Sequence, residues 1–333
     1  MASKTTRAPP GSTRTRNGNI DGLRLIAAIG VISLHVGQYH ELPPVAGDVI
    51  RSSFRWCVPF FFMLTGYYLF DPQEAKWRIT IEKLAMPLRA FVVASLVFFP
   101  VLAATSGADG ITLTTMVGGT YHHLWYLTAL IFALLAVYTF QSGLALKLLW
   151  IFSALIVFSY VGISYFHVFT RGGYEAVIPI RDLSGIPAVL IGGWLRGVRR
   201  LESAAPLLFG IGLTVTVIEG LALSALGVRP ANVQLFIGTL PLAAGLLGLA
   251  ISAKDITPYW MSELGRRESL GIYLYHPLAI LVAASVVSGD LRIERYDAPG
   301  LSVWILASIL TIAGVLLLRI RLPRVRTALD GVR

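Results

Sequence analysis

The stretch IDGLRLIAAIGVISLHVGQYH, residues 20–40, is almost entirely apolar yet carries Asp21, Arg24 and His35. A helix through it turns once every 3.6 residues. Arg24 and His35, eleven residues apart, therefore project from one face and lie about 16 Å apart along the axis. That distance is roughly half of a ~30 Å hydrocarbon core. A segment this apolar reads as a membrane span, and an ionisable group inside one costs about 2.5–3.5 kcal/mol on insertion scales. Such groups are candidate functional residues.

The whole chain has the same character. Its 333 residues are 55% hydrophobic and 14% charged, with a mean hydropathy of +0.70. Soluble domains carry about 25% charged residues, so too little polar surface is available here to coat a globule in water. Apolar runs of spanning length recur at 20–38, 50–70, 84–105, 121–141, 145–163, 183–198, 205–226, 232–252, 268–288 and 299–319. The chain reads as an all-α polytopic membrane bundle of about ten transmembrane helices over 20–320, with basic tails at 1–19 and 321–333. The segment LSGIPAVLIGGWLRGV (183–198) is the shortest and richest in glycine. No alternating pattern suggests a barrel. A lone Cys57 excludes an intrachain disulfide, and no zinc-type spacing occurs, so neither a metal nor a bound cofactor is expected.

The net charge of +10 is not evenly spread. Of the 28 lysines and arginines, nineteen fall on the side that holds the N-terminus and six on the other, while Arg24, Arg55 and Arg89 lie deeper. The positive-inside rule then places both termini in the cytoplasm, with the bundle in the plasma (inner) membrane. The basic character is topogenic, so no nucleic-acid partner is needed to explain it.

Other polar residues interrupt the oil. His276 sits in SLGIYLYHPLAI (269–280), followed by Pro277. Arg55 enters the second span from the outer side, and YHHLWYL (121–127) opens the fourth there. A polar column running from Arg24 through His276 to His35, Arg55 and His123 is the functional reading, with Trp125 and Tyr126 as aromatic walls. Each member also has a plainer reading. Arg24 can snorkel to headgroups, His35 can hydrogen-bond between helices, and Arg55 can be ion-paired. The His122–Tyr126 group can be interfacial, and His276 can cap backbone freed by Pro277.

Four motifs together resemble a known family, the integral-membrane acyltransferase family 3. RNGNIDGLRLIAAIGVISLH (16–35) is similar to its N-terminal signature, with Arg16, Asn17, Asp21, Leu23, Arg24 and His35 in place. VPFFFMLTGYYLF (58–70) resembles its Phe-Phe-x-x-Ser-Gly-Tyr segment, with Thr65 for serine. HHLWYLTALI (122–131) and SLGIYLYHPLAI resemble its later His-x-Leu-Trp and Ile-Tyr-x-x-His-Pro motifs. The resemblance spans about residues 16–280. In WRITIEKLAMPLRAF (77–91) the chain departs from it: Lys83 stands for one arginine of an Arg-x-x-Arg pair, and Met86 for the other.

The resemblance implies transfer of a short acyl group, acetyl or succinyl, from cytoplasmic acyl-CoA to a sugar hydroxyl of a surface or lipid-linked glycan. His35, with an ordinary pKa near 6.5, would be the general base. Asp21 and Arg24 would orient the donor. Arg16, Lys83, Arg266, Arg267 and His276 would bind it. Arg55 or His123 would face the oxyanion, and Trp125 and Tyr126 the sugar. The rival readings are a transporter or flippase of a lipid-linked sugar, which would use the same column, and a pH-responsive sensor. No internal repeat favours a transporter, and the absence of Gly-x-Ser-x-Gly and His-Glu-x-x-His patterns argues against a hydrolase.

Overall fold

The computed structural model describes residues 17–106, 112, 119–170, 180–198, 200–290 and 298–321. Most of them are helical. The α-helices are α1 (Gly18–His35), α2 (Pro44–Ser53), α3 (Cys57–Leu69), α4 (Ile81–Ser106), α5 (Trp125–Thr139) and α6 (Gly143–Thr170). They continue with α7 (Gly185–Gly197), α8 (Leu201–Ala225), α9 (Thr239–Ser252), α10 (Tyr259–Ser288) and α11 (Gly300–Arg321). A two-residue antiparallel hairpin pairs Phe70–Asp71 with Lys76–Trp77.

Each of the ten apolar stretches holds a helix, but among the described residues five helices are long and apolar enough to cross a membrane: α4, α6, α8, α10 and α11. Two boundaries differ in an informative way. The stretch 50–70 is not one helix, because α2 gives way to a 3₁₀ turn at Phe54–Trp56 before α3 begins. α10 starts nine residues before the apolar run, just after Pro258. Its first turns, YWMSELGRRES, are polar, and Glu263 pairs there with Arg266 and Arg267. Hydropathy does not see a helix held by such i, i+3 and i, i+4 pairs.

α1 starts where Asn17 accepts a hydrogen bond from the Ile20 amide at 3.1 Å, an N-cap, with Asp21 favourably placed in the first turn. The Asn17 amide also donates to the Ala250 carbonyl at the end of α9. α1 packs most closely on α10, α3 on α7, and α8 on α9. Glycines make these approaches possible. A Cβ on Gly66 would meet the Val189 carbonyl, one on Gly192 the Met63 carbonyl, and one on Gly265 the Asp21 carbonyl. α10 is the central helix: half of its spanning window is buried inside the bundle, against 22% for the other four long helices. Those others turn apolar side chains such as Leu96, Phe158 and Ile309 outward, as a lipid-facing surface requires.

The bundle is tied at both ends. Buried Glu268 of α10 receives Arg319 of α11 at 3.2 Å. At the other end Glu41, in the loop after α1, accepts the Leu301 and Ser302 amides at the start of α11. Burial pushes the Glu41 carboxyl up, but these hydrogen bonds outweigh it and hold the group below the usual carboxylate range.

The glycine contacts generate a stability prediction. Gly192→Ala forces its Cβ onto backbone and should cost about 1–3 kcal/mol, lowering the thermal midpoint in detergent. Gly162→Ala in α6, where a Cβ meets nothing within 4 Å, should leave the midpoint unchanged or raise it. Equal midpoints for the two variants would contradict the close α3–α7 contact.

Candidate active site

Three elements bring four histidines together. His35 is the last residue of α1, not an interior one, because Val36 is already extended. His122 and His123 lie in the turn before α5, and His276 lies in α10. The His35 ring centroid is 5.1 Å from that of His122 and 5.1 Å from that of His276. His123 and His276 are 5.3 Å apart.

Their surroundings sort these rings into different roles. Pro277 lacks the N–H that would otherwise donate to the Tyr273 carbonyl four residues back. The His276 Nδ1 lies 2.7 Å from that carbonyl and donates to it. His123 is fully buried, donates from Nε2 to the Leu274 carbonyl at 3.0 Å, and has its own carbonyl bonded by the Tyr273 hydroxyl. These two rings brace α10. His35 is half-buried and His122 exposed, and both line a cavity of about 290 Å³. Among the described residues no three His, Cys, Asp or Glu side chains are gathered to hold a metal ion.

That first cavity is walled by Arg51, Arg55, Arg181, Trp125, Tyr160, Gln234 and Tyr273. A second cavity of about 360 Å³ lies on the Arg24 side and is mostly apolar, with Arg24, Thr65, Lys83, Met86, Tyr126 and Tyr273 among its walls. Tyr273 faces both. Phe62 borders the first cavity and Tyr126 the second. Their rings are 4.6 Å apart, and those of Tyr126 and Tyr273 are 5.0 Å apart. Phe62, Tyr126 and Tyr273 therefore form an aromatic partition between a polar chamber and an apolar one.

The continuous polar column read from the sequence is corrected accordingly. Arg24 and His35 share a helix face but open into different chambers. Asp21 lines neither. It is 5% exposed and holds Arg24 at 3.3 Å. His276 lies beside His35 and lines neither chamber, and His123 is buried as a bracing residue while His122 lines the cavity. Trp125 lines the polar chamber beneath the Arg181 guanidinium, 4.8 Å from its ring centroid, while Tyr126 lines the apolar one. Arg55 does reach the polar chamber, where it donates to the Gln234 carbonyl at 3.0 Å and lies over Phe236. Lys83 lines the apolar chamber and donates to the Arg78 carbonyl at 2.6 Å. Arg266 and Arg267 line neither chamber and pair with Glu263. Arg16 and both tails, apart from residues 17–19 and Arg321, lie outside the described residues.

Sequence reasoning missed Arg51 and Arg181 as site residues. Both count as loop charges by position, and 130 residues separate them. Their one signal is placement at the start of apolar spans on the side that is otherwise poor in basic residues.

A family model for an acyltransferase domain, acyltransferase 3, matches residues 17–320. The chain belongs to this acyltransferase family. Curated relatives carry other names. A serine/alanine racemase of Enterococcus gallinarum is 29% identical over 294 residues, covering 80% of this chain and 41% of that protein. An amino-acid racemase of Enterococcus faecalis is 27% identical over 150 residues, covering 41% of this chain and 21% of that protein. The chain thus spans about two fifths and one fifth of the lengths of these relatives. No solved structure matches it. In this acyltransferase domain the His35 and Arg24 positions of the family signature open into the two chambers on either side of the aromatic partition.

The sorting of the histidines is testable. His123→Ala leaves a buried carbonyl without its donor and should cost about 1–3 kcal/mol of stability. His122→Ala should leave the thermal midpoint nearly unchanged. The reverse order of midpoints would overturn the assignment of His123 as the brace.

Proposed function

We propose that this acyltransferase moves a short acyl group, acetyl or succinyl, from acyl-CoA to a sugar hydroxyl of a surface or lipid-linked glycan. The acyl-CoA enters from the cytoplasmic side, where both termini lie, and transfer takes place in the polar chamber of a protein embedded in the plasma (inner) membrane. The observation that carries this reading is the pair of chambers meeting at one aromatic partition. An apolar chamber with two cations at its walls, Arg24 and Lys83, suits a flexible thioester arm with a polar end. A polar chamber with an imidazole at its wall suits a hydroxyl acceptor.

The chemistry follows from those placements. The neutral His35 imidazole takes the proton of the acceptor hydroxyl as its oxygen attacks the thioester carbonyl. The tetrahedral oxyanion needs a donor on the same side, and His122 and Arg55 share the chamber with His35. Collapse breaks the C–S bond, and the proton held by His35 passes to the departing CoA thiolate. Asp21 positions Arg24 through their ion pair, and Arg24 orients the donor. Tyr273, facing both chambers, stands where the acyl group must pass. Met86 at the wall of the apolar chamber leaves Lys83 and Arg24 as its cationic pair, so donor phosphates are held by fewer arginines than the family pattern supplies.

His35→Ala should lower acyl transfer by about 10²–10⁴-fold while membrane insertion and thermal midpoint persist. Transfer at the wild-type rate would remove His35 from the base role. In sealed vesicles of known orientation, acyl-CoA offered only at the face bearing Arg24 should be consumed, and the same donor at the opposite face should not. Movement of an unmodified glycan across the membrane, with no acyl product, would instead favour a transporter.

A further inference from the structure

The apolar chamber carries a small polar spot against the partition. Its walls are mostly aliphatic, with Leu64, Leu127 and Leu130 among them, yet Arg24, Thr65 and Tyr126 line it too. These three come from α1, α3 and α5. The Tyr126 hydroxyl is hydrogen-bonded to Thr65 and lies in the field of Arg24. Tyr126 is 8% exposed, and its ring is held in the partition beside those of Phe62 and Tyr273.

The protons fix what this spot offers. Thr65 Oγ1 donates its single proton to the Phe61 carbonyl at 3.0 Å. Toward Tyr126 it can only accept, so the Tyr126 hydroxyl donates to it. What Tyr126 then turns to the chamber is lone pairs. Arg24 offers the opposite. Its guanidinium meets Asp21 at 3.3 Å, which balances its charge, and a guanidinium has five N–H donors, more than that one contact uses. A plain hydrocarbon chain laid here would strip water from the Tyr126 oxygen and the Arg24 fork and return no bond to either. A secondary amide returns both bonds. It carries a donor and an acceptor on different atoms, matching partners on different helices, and it is neutral, so it enters an apolar chamber without the cost of a buried charge.

We infer that the apolar chamber recognises a secondary amide within the chain of its ligand. The Tyr126 oxygen accepts the amide N–H, and Arg24 donates to the amide carbonyl. The identity of the chain rests on the acyl-transfer reading above: it is the pantetheine arm of acyl-CoA, a flexible chain with two secondary amides that ends in the thioester sulfur. Tyr126 is then a donor-binding residue, and it holds the arm beside Tyr273, where the thioester must arrive.

The test uses the purified full chain in detergent. Calorimetric binding of pantetheine is compared with that of its analogue in which ester oxygens replace both amide N–H groups. Pantetheine should bind about tenfold or more tightly. Tyr126→Phe keeps the ring of the partition and removes only the oxygen. It should shrink the preference to twofold or less by weakening pantetheine alone. Arg24→Met should weaken both compounds, because both keep their carbonyls, but it also leaves Asp21 without that ion pair. Tyr126→Phe and the wild-type comparison keep the test decisive if Arg24→Met fails to fold. Equal affinities in the wild type, no binding of either compound, or a preference that survives Tyr126→Phe overturns the proposal. Equal affinities would make the chamber a site for hydrocarbon alone.

A transfer assay with acetyl-CoA and a lipid-linked glycan separates the two readings. Amide preference without any acyl product leaves the site standing and defeats acyl transfer. Acyl transfer without amide preference does the opposite. Where transfer occurs, Tyr126→Phe should raise KM for acetyl-CoA about tenfold and leave kcat nearly unchanged, the mark of binding lost equally from ground and transition states. A fall in kcat at constant KM counts against a residue that holds the arm.

Discussion

One carbonyl group organises the centre of this molecule. Pro277 interrupts the ladder of α10 and leaves the Tyr273 oxygen without its usual amide. In a medium without water an unmet carbonyl costs several kcal/mol. His276 meets it at 2.7 Å, and His123, from the turn before α5, bonds the next carbonyl of the same helix at 3.0 Å. Two histidines are thereby fixed against α10, and a third, His35, lies 5.1 Å from His276 at the end of α1. The same bonds set the orientation of Tyr273, whose hydroxyl returns to the His123 carbonyl. Bracing and partition are one construction.

That construction explains why the chambers differ in character. On one side of Tyr273 the walls are rings and aliphatic chains with cations near the edge. On the other they are arginines and imidazoles. A single open polar path through the bundle would hydrate the membrane interior. An aromatic layer of Phe62, Tyr126 and Tyr273, with ring centroids 4.6 and 5.0 Å apart for successive pairs, keeps the sides distinct while placing their contents within reach of each other.

The curated relatives share the domain and not a length. Their racemase names describe proteins of which this chain covers about two fifths or less. What the chain has in common with them is a helical membrane domain with the signature positions of the acyltransferase family, and the chemistry argued above is drawn from that domain's own chambers.

Much of the helical layout was legible because hydropathy reports desolvation directly, residue by residue. Ten apolar stretches each contain a helix, and Arg24 and His35 stand out as ionisable groups in oil. The misreadings came where local polar bonds replace hydropathy, as in the first turns of α10, or where a 3₁₀ turn at Phe54–Trp56 breaks one apolar run into two helices. Within the HHLW motif sequence could not tell His122 from His123. Adjacent residues in a turn point in different directions, and only the packing of α10 against it sends one to the cavity and the other to a carbonyl.

By itself, then, the order of residues determined the solvent of this protein, the family it belongs to and the pair of ionisable positions in its first helix, Arg24 and His35. Tertiary structure alone decided that these two open into separate chambers. It also decided that His276 stands with His35 and His123 is a brace, and that Arg51 and Arg181, 130 residues apart, line one cavity. The reason is physical. Burial in lipid is a property each residue carries along the chain, whereas the partner of a buried dipole or charge is set by which helices pack together, and close contacts such as Gly192 on Met63 and Gly265 on Asp21 are the product of the whole bundle.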